Sequence, residues 1–232
     1  MPFPFDIIDH GVMVFFSKFA KSSVVMDHGI VKGMDLKTFT ILPIVTCLWY
    51  FWFDPRFRDR VRVIGGFAGT FVAVLVARII QNLSPQRLRP LHSGDPTFVP
   101  PAGLDMSVLE HWSSFPSDHA AVSFALSTAV FRVSRPLGAA CMLWSVFVVN
   151  LPRVYAGYHY ISDIVSGAII GIISVNIIDI SNLSERMGVF VSKLEKKWTG
   201  LFYVSFFVLS YQIVTLFGDI RKTGIFLFQY IR

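Results

Sequence analysis

The stretch Leu151-Pro-Arg-Val-Tyr-Ala-Gly-Tyr-His-Tyr-Ile-Ser-Asp163 is a short polar segment between two apolar runs. Arg153, His159 and Asp163 carry its chemistry. His159 and Asp163 are four residues apart, so they would share one face of a helix. A carboxylate there can hold the proton of one imidazole nitrogen and leave the other nitrogen free to react. The Arg153 guanidinium suits phosphate oxygens. The segment therefore predicts a nucleophile, its orienting group and an anion-binding group.

The composition around this segment is that of a membrane protein. Of the 232 residues 53% are hydrophobic and only 16% are charged, against about 25% in soluble domains. This predicts an all-α, polytopic integral membrane protein and argues against a soluble helical core. The net charge of +6 fits short loops at a membrane surface and an anionic substrate. No basic run with interleaved aromatic residues is present, so nucleic acid is not expected as a partner.

The hydrophobic pattern predicts one membrane domain over residues 1–232. Residues 1–35 are predicted to form an interfacial amphipathic helix, too polar to span the bilayer. Residues 36–218 form the predicted core of six transmembrane helices, and residues 219–232 a short tail. The predicted spans lie roughly at 36–53, 63–83, 117–133, 137–151, 160–180 and 201–217. Gly167 and Gly171 are spaced for a close contact between helices.

Charge in the loops predicts the orientation of these spans. Three short loops are rich in Lys and Arg, which is typical of cytoplasmic loops; they are 54–62, 132–135 and 181–199. The loops 84–115 and 151–159 then both face the outside. The topology therefore brings the two segments with the most polar chemistry to one face of the membrane.

Two further motifs lie in the first of these outer segments. Arg87-Leu-Arg89-Pro90 stands near its start, and Pro116-Ser117-Asp118-His119 opens the third span. A helix N-terminus presents free backbone N–H groups and the positive end of the helix dipole, which together suit an anion. Taken singly, the first motif could be a pair of loop arginines and the second an ordinary helix cap. Combined with His159 and Arg153, they form the environment that a phosphoryl group requires.

These motifs resemble those of the type 2 phosphatidic acid phosphatase family, the membrane branch of the acid phosphatase and vanadium haloperoxidase superfamily. That family has Lys-x6-Arg-Pro, then Pro-Ser-Gly-His, then Ser-Arg-x5-His-x3-Asp. The resemblance covers about residues 36–180. The matching residues are Arg89 and Pro90, then Pro116, Ser117 and His119, then Arg153, His159 and Asp163.

The resemblance implies a role for each matching residue. His159 would attack phosphorus and become a transient phosphohistidine, and Asp163 would hold its ring. His119 would protonate the leaving oxygen and then activate water. No metal and no other cofactor is implied. The phosphate would be held by Arg89, Arg153, Ser117 and backbone N–H groups near Asp118.

The sequence departs from the family pattern at three positions. Asn82 stands where the first motif has its lysine, Asp118 replaces the glycine of the second motif, and Pro152 replaces the serine of the third. Asn82 can donate a hydrogen bond to phosphate but carries no charge. We therefore expect Arg78 or Arg87 to act in place of the missing lysine, because both are close to Asn82 in the chain.

The resemblance implies an integral membrane lipid phosphatase of the cell envelope. It would lie in the plasma membrane (the bacterial inner membrane) with its active site facing the periplasm or outside. Its substrate would be a lipid phosphate or diphosphate, and a polyprenyl diphosphate such as undecaprenyl diphosphate is favoured. Two alternatives stay open: a phosphotransferase with a lipid or sugar acceptor, and a non-catalytic protein that binds or transports a lipid phosphate. The sequence leaves the oligomeric state open.

Overall fold

The computed structural model describes residues 5–216 and 218, except Leu109 and His111, and only the backbone of Phe57. The predicted tail therefore lies outside the described residues. The described part is helical and contains no strand. Its helices are α1 (Asp6–Ser17), α2 (Val24–Asp35), α3 (Lys37–Thr40), α4 (Leu42–Trp52), α5 (Phe57–Leu83), α6 (Asp118–Val133), α7 (Arg135–Trp144), α8 (Leu151–Tyr155), α9 (Ile161–Ile180), α10 (Leu183–Lys197) and α11 (Thr199–Val214).

Helix α6 forms the centre of the bundle. Every residue from Ala120 to Val130 is buried, and the helix packs between α5 and α9. Three helical stretches are long and apolar enough to cross a membrane: Arg58–Leu83, Arg135–Tyr155 and Ile161–Ile180. Helices α4 and α11 are apolar but shorter. These helices support a membrane protein, and the count of six spans stays a prediction.

Two glycines let α9 approach the backbone of α6. The sequence predicted a close helix contact at these glycines but not which helix would make it. A Cβ added to Gly167 would lie 2.3 Å from the carbonyl oxygen of Ser117, and one added to Gly171 would lie 2.4 Å from that of Ala121. Only glycine fits a contact this close. The contact brings the first turns of α6 and α9 together, where the Ser117 N–H donates to the Asp163 carbonyl oxygen at 3.1 Å.

The N-terminal segment forms two helices and not the single helix that was predicted for 1–35. Helix α1 ends at Ser17, and the Ser23 side chain caps α2 by accepting a hydrogen bond from the Met26 N–H. On α1 the apolar side chain of Ile7 is 90% exposed, whereas Asp9 is only 2% exposed. The contact of α1 with a membrane surface stays a prediction.

Two predicted loops are partly helical. Their high charge density concealed the helical pattern in the sequence. Residues 183–197 form α10, in which Met187 and Val191 pack against the core while the lysines face outward. Helix α5 begins at Phe57, so most of the arginines of the predicted loop 54–62 lie on its first turns.

The polar segment that follows the fourth predicted span is also more helical than its sequence indicates. Helix α7 continues through a π-helical turn, Ser145–Asn150, into α8. Arg153 consequently lies on a helix. His159 precedes α9, so the expectation that His159 and Asp163 share a helical face is wrong in detail, although the two residues lie close together.

Candidate active site

The three motifs converge on a cavity of about 70 Å³, which has room for a group of a few heavy atoms. Its walls come from α3, α5, α6, α8, the loops before α6 and α9, and the chain just after α11. Four cationic side chains and two histidines line the cavity. The residues that line the cavity are Lys37, Arg78, Gln81, Arg89, Trp112, Asp118, His119, Arg153, Tyr158, His159 and Leu216.

His159 is buried at the cavity with one ring nitrogen engaged by the protein. Its Nδ1 lies 2.9 Å from the carbonyl oxygen of Ser114 and 3.6 Å from Oδ2 of Asp163. Both neighbours are acceptors, so Nδ1 carries the proton and Nε2 carries the lone pair. Nε2 lies 3.5 Å from Nη1 of Arg89. Burial, aided by the Arg89 charge and opposed by Asp163, lowers the pKa of His159, which favours the neutral, nucleophilic ring.

Asp163 is fully buried at the first turn of α9. Its Oδ2 accepts the backbone N–H of Tyr160 at 2.8 Å, which caps the helix. Its Oδ1 accepts Nη1 of Arg87 at 2.7 Å. The carboxylate is therefore fixed on both oxygens and faces the Nδ1 side of His159, as an orienting group must.

His119 has a carboxylate partner of its own. Its Nδ1 lies 3.0 Å from Oδ1 of Asp118, and the same oxygen accepts the His119 backbone N–H at 2.9 Å. The other carboxylate oxygen accepts Nη2 of Arg78 at 2.6 Å, and Nη1 of Arg78 donates to Gln81. Asp118 therefore orients His119 and leaves the Nε2 atom of His119 available for proton transfer. A glycine at position 118 would offer no such contact.

Arg89 and Arg153 supply buried positive charge. Arg89 donates Nη1 to the carbonyl oxygen of Tyr158 and Nη2 to that of Ser113 at 3.2 Å. Within the described part of the chain nothing accepts a hydrogen bond from Arg89 Nε, so one donor is available to a ligand. Arg153 donates to the carbonyl oxygens of Val149 and Met34, the latter at 3.0 Å.

Three predicted phosphate ligands lie outside the walls of the cavity. Asn82 is exposed on α5. Arg87 is not among the residues that line the cavity, and it donates a hydrogen bond to Asp163. The Ser117 hydroxyl is buried and accepts the Ala120 N–H as the cap of α6. Of the two candidates for the missing lysine, Arg78 thus reaches the cavity and Arg87 does not.

Lys37 is a cavity residue that no sequence motif indicated. It begins α3, lines the cavity and donates a hydrogen bond from Nζ to the carbonyl oxygen of Thr215 at 3.0 Å. Its only sequence signal is a charge at the start of an apolar run, and that pattern is equally typical of a lysine at a membrane surface. It lies 45 residues before Asn82, so no motif spacing connects the two.

One group of side chains at the cavity has the composition of a metal site. Asp118, His119 and His159 each offer a ligand atom, and these atoms lie within 4.8 Å of one another. The same cavity, however, is lined by Lys37 and three arginines. Because four cations repel a divalent cation and attract an anion, the charge of the site favours a phosphate group over a metal ion.

Comparison with known proteins supports the resemblance seen in the sequence. Residues 86–181 match the model of the PAP2 superfamily, so the resemblance to this family is confirmed for that segment. The chain is 28% identical over 128 residues to the bacitracin transport permease protein BcrC of Bacillus licheniformis. The match covers 53% of this chain and 57% of that relative, which is less than two thirds of its length. No solved structure matches the chain significantly.

Proposed function

Because the segment that matches the PAP2 superfamily contains both histidines of the cavity, we propose that the protein is an integral membrane phosphatase. It hydrolyses a lipid phosphate or diphosphate through a phosphohistidine intermediate. One observation carries the proposal: His159 and His119, each held by a carboxylate, line one small cavity with four cationic side chains.

The first chemical step is transfer of the phosphoryl group to His159. The lone pair of Nε2 attacks phosphorus, while the bond from phosphorus to the lipid oxygen breaks. His119 donates its proton to the leaving oxygen. The Nδ1 proton of His159 stays directed at Ser114 and Asp163, which stabilise the positive charge that develops on the ring.

The second step returns the enzyme to its starting state. His119, now neutral, accepts a proton from a water molecule, which attacks phosphorus as the P–N bond to His159 breaks. Inorganic phosphate leaves from a phosphomonoester or from the terminal position of a diphosphate. Arg89 and Arg153 neutralise the charge on the transferring oxygens in both steps.

Lys37 and Arg78 act in place of the lysine that the family has at position 82. Both line the cavity, whereas Asn82 is exposed and Arg87 contacts Asp163. We expect Lys37→Met and Arg78→Met each to lower kcat/KM about 10- to 100-fold, because each removes a cation beside a dianion. Steady-state kinetics measures this.

Asn82→Ala is the matched control for both variants and should retain the activity of the wild type. Equal activity of wild type and the Lys37→Met, Arg78→Met double variant would contradict the assignment.

The cavity is proposed to open at the outer face of the plasma membrane. Arg58, in the basic segment at the start of α5, lies twenty residues before Arg78, which is about 30 Å along the helix. This is about the thickness of the hydrocarbon core, so a cytoplasmic basic loop would put the cavity at the opposite surface. The substrate we favour is a polyprenyl diphosphate such as undecaprenyl diphosphate, on family resemblance.

Transport is the second candidate, because the BcrC relative is named as a transport permease. The test is phosphate release by the detergent-purified protein with chelator present. We would offer polyprenyl diphosphate, polyprenyl monophosphate and phosphatidic acid, each with and without an added alcohol acceptor. Release from one of these lipids supports the hydrolase. A phosphorylated alcohol in place of free phosphate would identify a phosphotransferase, and no turnover of any of them would favour binding or transport.

A further inference from the structure

Helix α1 directs a carboxylate into the protein and apolar side chains away from it. Asp9 is almost fully buried, although it lies between the exposed Ile7, Ile8 and Phe15. Its Oδ1 accepts the backbone N–H of Ser162 at 3.0 Å, and its Oδ2 accepts the Ser162 hydroxyl at 2.5 Å. A buried carboxylate is costly unless it is paired, so these contacts must be part of how α1 is held.

Arg87 joins this carboxylate to the one that orients His159. Its Nη2 donates to Oδ2 of Asp9 at 2.6 Å, and its Nη1 donates to Oδ1 of Asp163 at 2.7 Å. The guanidinium is buried and stacks 4.1 Å from the centre of the Tyr160 ring. The fork of Arg87 is therefore held from two sides, and its position depends on Asp9 as much as on Asp163.

We propose that Asp9 is a positioning residue for phosphoryl transfer: it holds Arg87, and through Arg87 the Asp163 carboxylate, where Asp163 orients His159. The kinetic effect expected from this role rests on the proposed function. It makes α1 a component of the active site, although α1 lies outside the segment 86–181 that matches the family model.

The competing explanation is that Asp9 only attaches α1 to the bundle. The two explanations differ in what they predict. Loss of attachment would lower stability and affect binding and turnover alike. Loss of positioning would lower kcat while leaving KM unchanged, because Asp9 touches no part of the cavity. It would also have no effect once Asp163 itself can no longer orient His159.

The kinetic test uses Asp9→Asn, with Asp6→Asn as the matched control on the same helix. Asp6 is half exposed and lies 3.7 Å from Arg87. We expect Asp9→Asn to lower kcat about 10- to 100-fold, the usual effect of losing a hydrogen bond to a buried charge. KM should stay within about twofold of the wild-type value, and Asp6→Asn should have little effect.

The decisive comparison adds Asp9→Asn to Asp163→Asn in single-turnover experiments with excess protein. We expect the double variant to be as slow as Asp163→Asn alone, since Asp9 acts through Asp163. If the double variant shows the product of the two single-variant losses in rate, or if KM rises for Asp9→Asn, the proposal is overturned. If Asp9→Asn does not fold, Ser162→Ala removes the hydroxyl that bonds both Asp9 and Arg87, and it should lower kcat about threefold to tenfold.

A second readout needs no turnover and therefore separates this proposal from the proposed function. In protein labelled with 15N-histidine, the ring nitrogens of His159 report its tautomer and hydrogen bonding. We expect Asp9→Asn to shift the His159 signals and to leave those of His119 unchanged. Unshifted His159 signals would overturn the positioning role. Shifted signals in a protein that releases no phosphate would support it while the proposed function fails.

Discussion

His159→Ala is expected to abolish phosphate release, with a loss of at least about 10⁴-fold in kcat. The variant removes the atom that forms the bond to phosphorus, and in the proposed mechanism His119 is already engaged in proton transfer at the leaving oxygen. Release from the preferred lipid, followed with a phosphate assay, measures the loss.

His28→Ala is the control for this variant, since His28 lies on α2 and bonds only the Val24 carbonyl oxygen among the described partners. It should keep the activity of the wild type. Wild-type protein stopped with base during turnover should also carry acid-labile phosphate on His159. A His159→Ala protein that still released phosphate would contradict the phosphohistidine mechanism.

The environment of His159 also sets the expected pH dependence. Burial lowers its pKa below the ordinary value of 6.5, and the nucleophile is the unprotonated ring. The neutral form therefore predominates at pH 6.5, and its contribution to the rate is lost only as the pH falls through the lowered pKa.

His119→Ala is expected to have the second largest effect, a fall of about 10²- to 10⁴-fold in the hydrolysis of a lipid phosphate. The leaving lipid alkoxide is strongly basic and needs a proton as its bond to phosphorus breaks. An aryl phosphate with an acidic phenol as leaving group does not need that proton. The first step should then recover in the variant, while the second step, which needs His119 to activate water, stays slow.

The distinguishing result is accumulation of phosphohistidine in His119→Ala with the aryl phosphate. Burst kinetics would show one rapid equivalent of phenol for each protein molecule, followed by slow turnover. Asp118→Gly is the partner experiment, because it keeps His119 but removes the carboxylate that orients it, and it should give a smaller loss. An equal fall in the first step for lipid and aryl substrates would contradict the role of His119 as general acid.

The residues that the sequence connects by local spacing also lie together in the structure. Arg153, His159 and Asp163 lie within one short segment, and Ser117 to His119 open one helix, so their relation is visible in the order of residues. The spacing of Gly167 and Gly171 likewise predicted a close helix contact, although not that α6 would be the partner. The predicted helix boundaries were wrong where charged residues obscured the helical period of the apolar ones, as in α10.

The rest of the site depends on contacts between distant parts of the chain. Lys37 reaches the cavity from α3, and Asp9 reaches Arg87 across 78 residues. Both residues are charges beside apolar side chains, a pattern that is equally common at any membrane surface. The proximity of Arg78 and Arg87 to Asn82 in sequence also could not distinguish them, because only the packing of α5 on α6 directs Arg78 to the cavity.

The glycine contact between α6 and α9 has a consequence for how this protein could change its substrate. The backbones of the two helices touch at Gly167, and the Ser117 to Asp163 hydrogen bond joins their ends, so the elements that hold the two histidines form one rigid block. Variation during evolution, or in the laboratory, is then tolerated mainly in the surrounding wall, where Trp112 and Leu216 come from separate elements. Libraries that diversify those two positions and spare the block should yield altered lipid preference without loss of the phosphoryl-transfer chemistry.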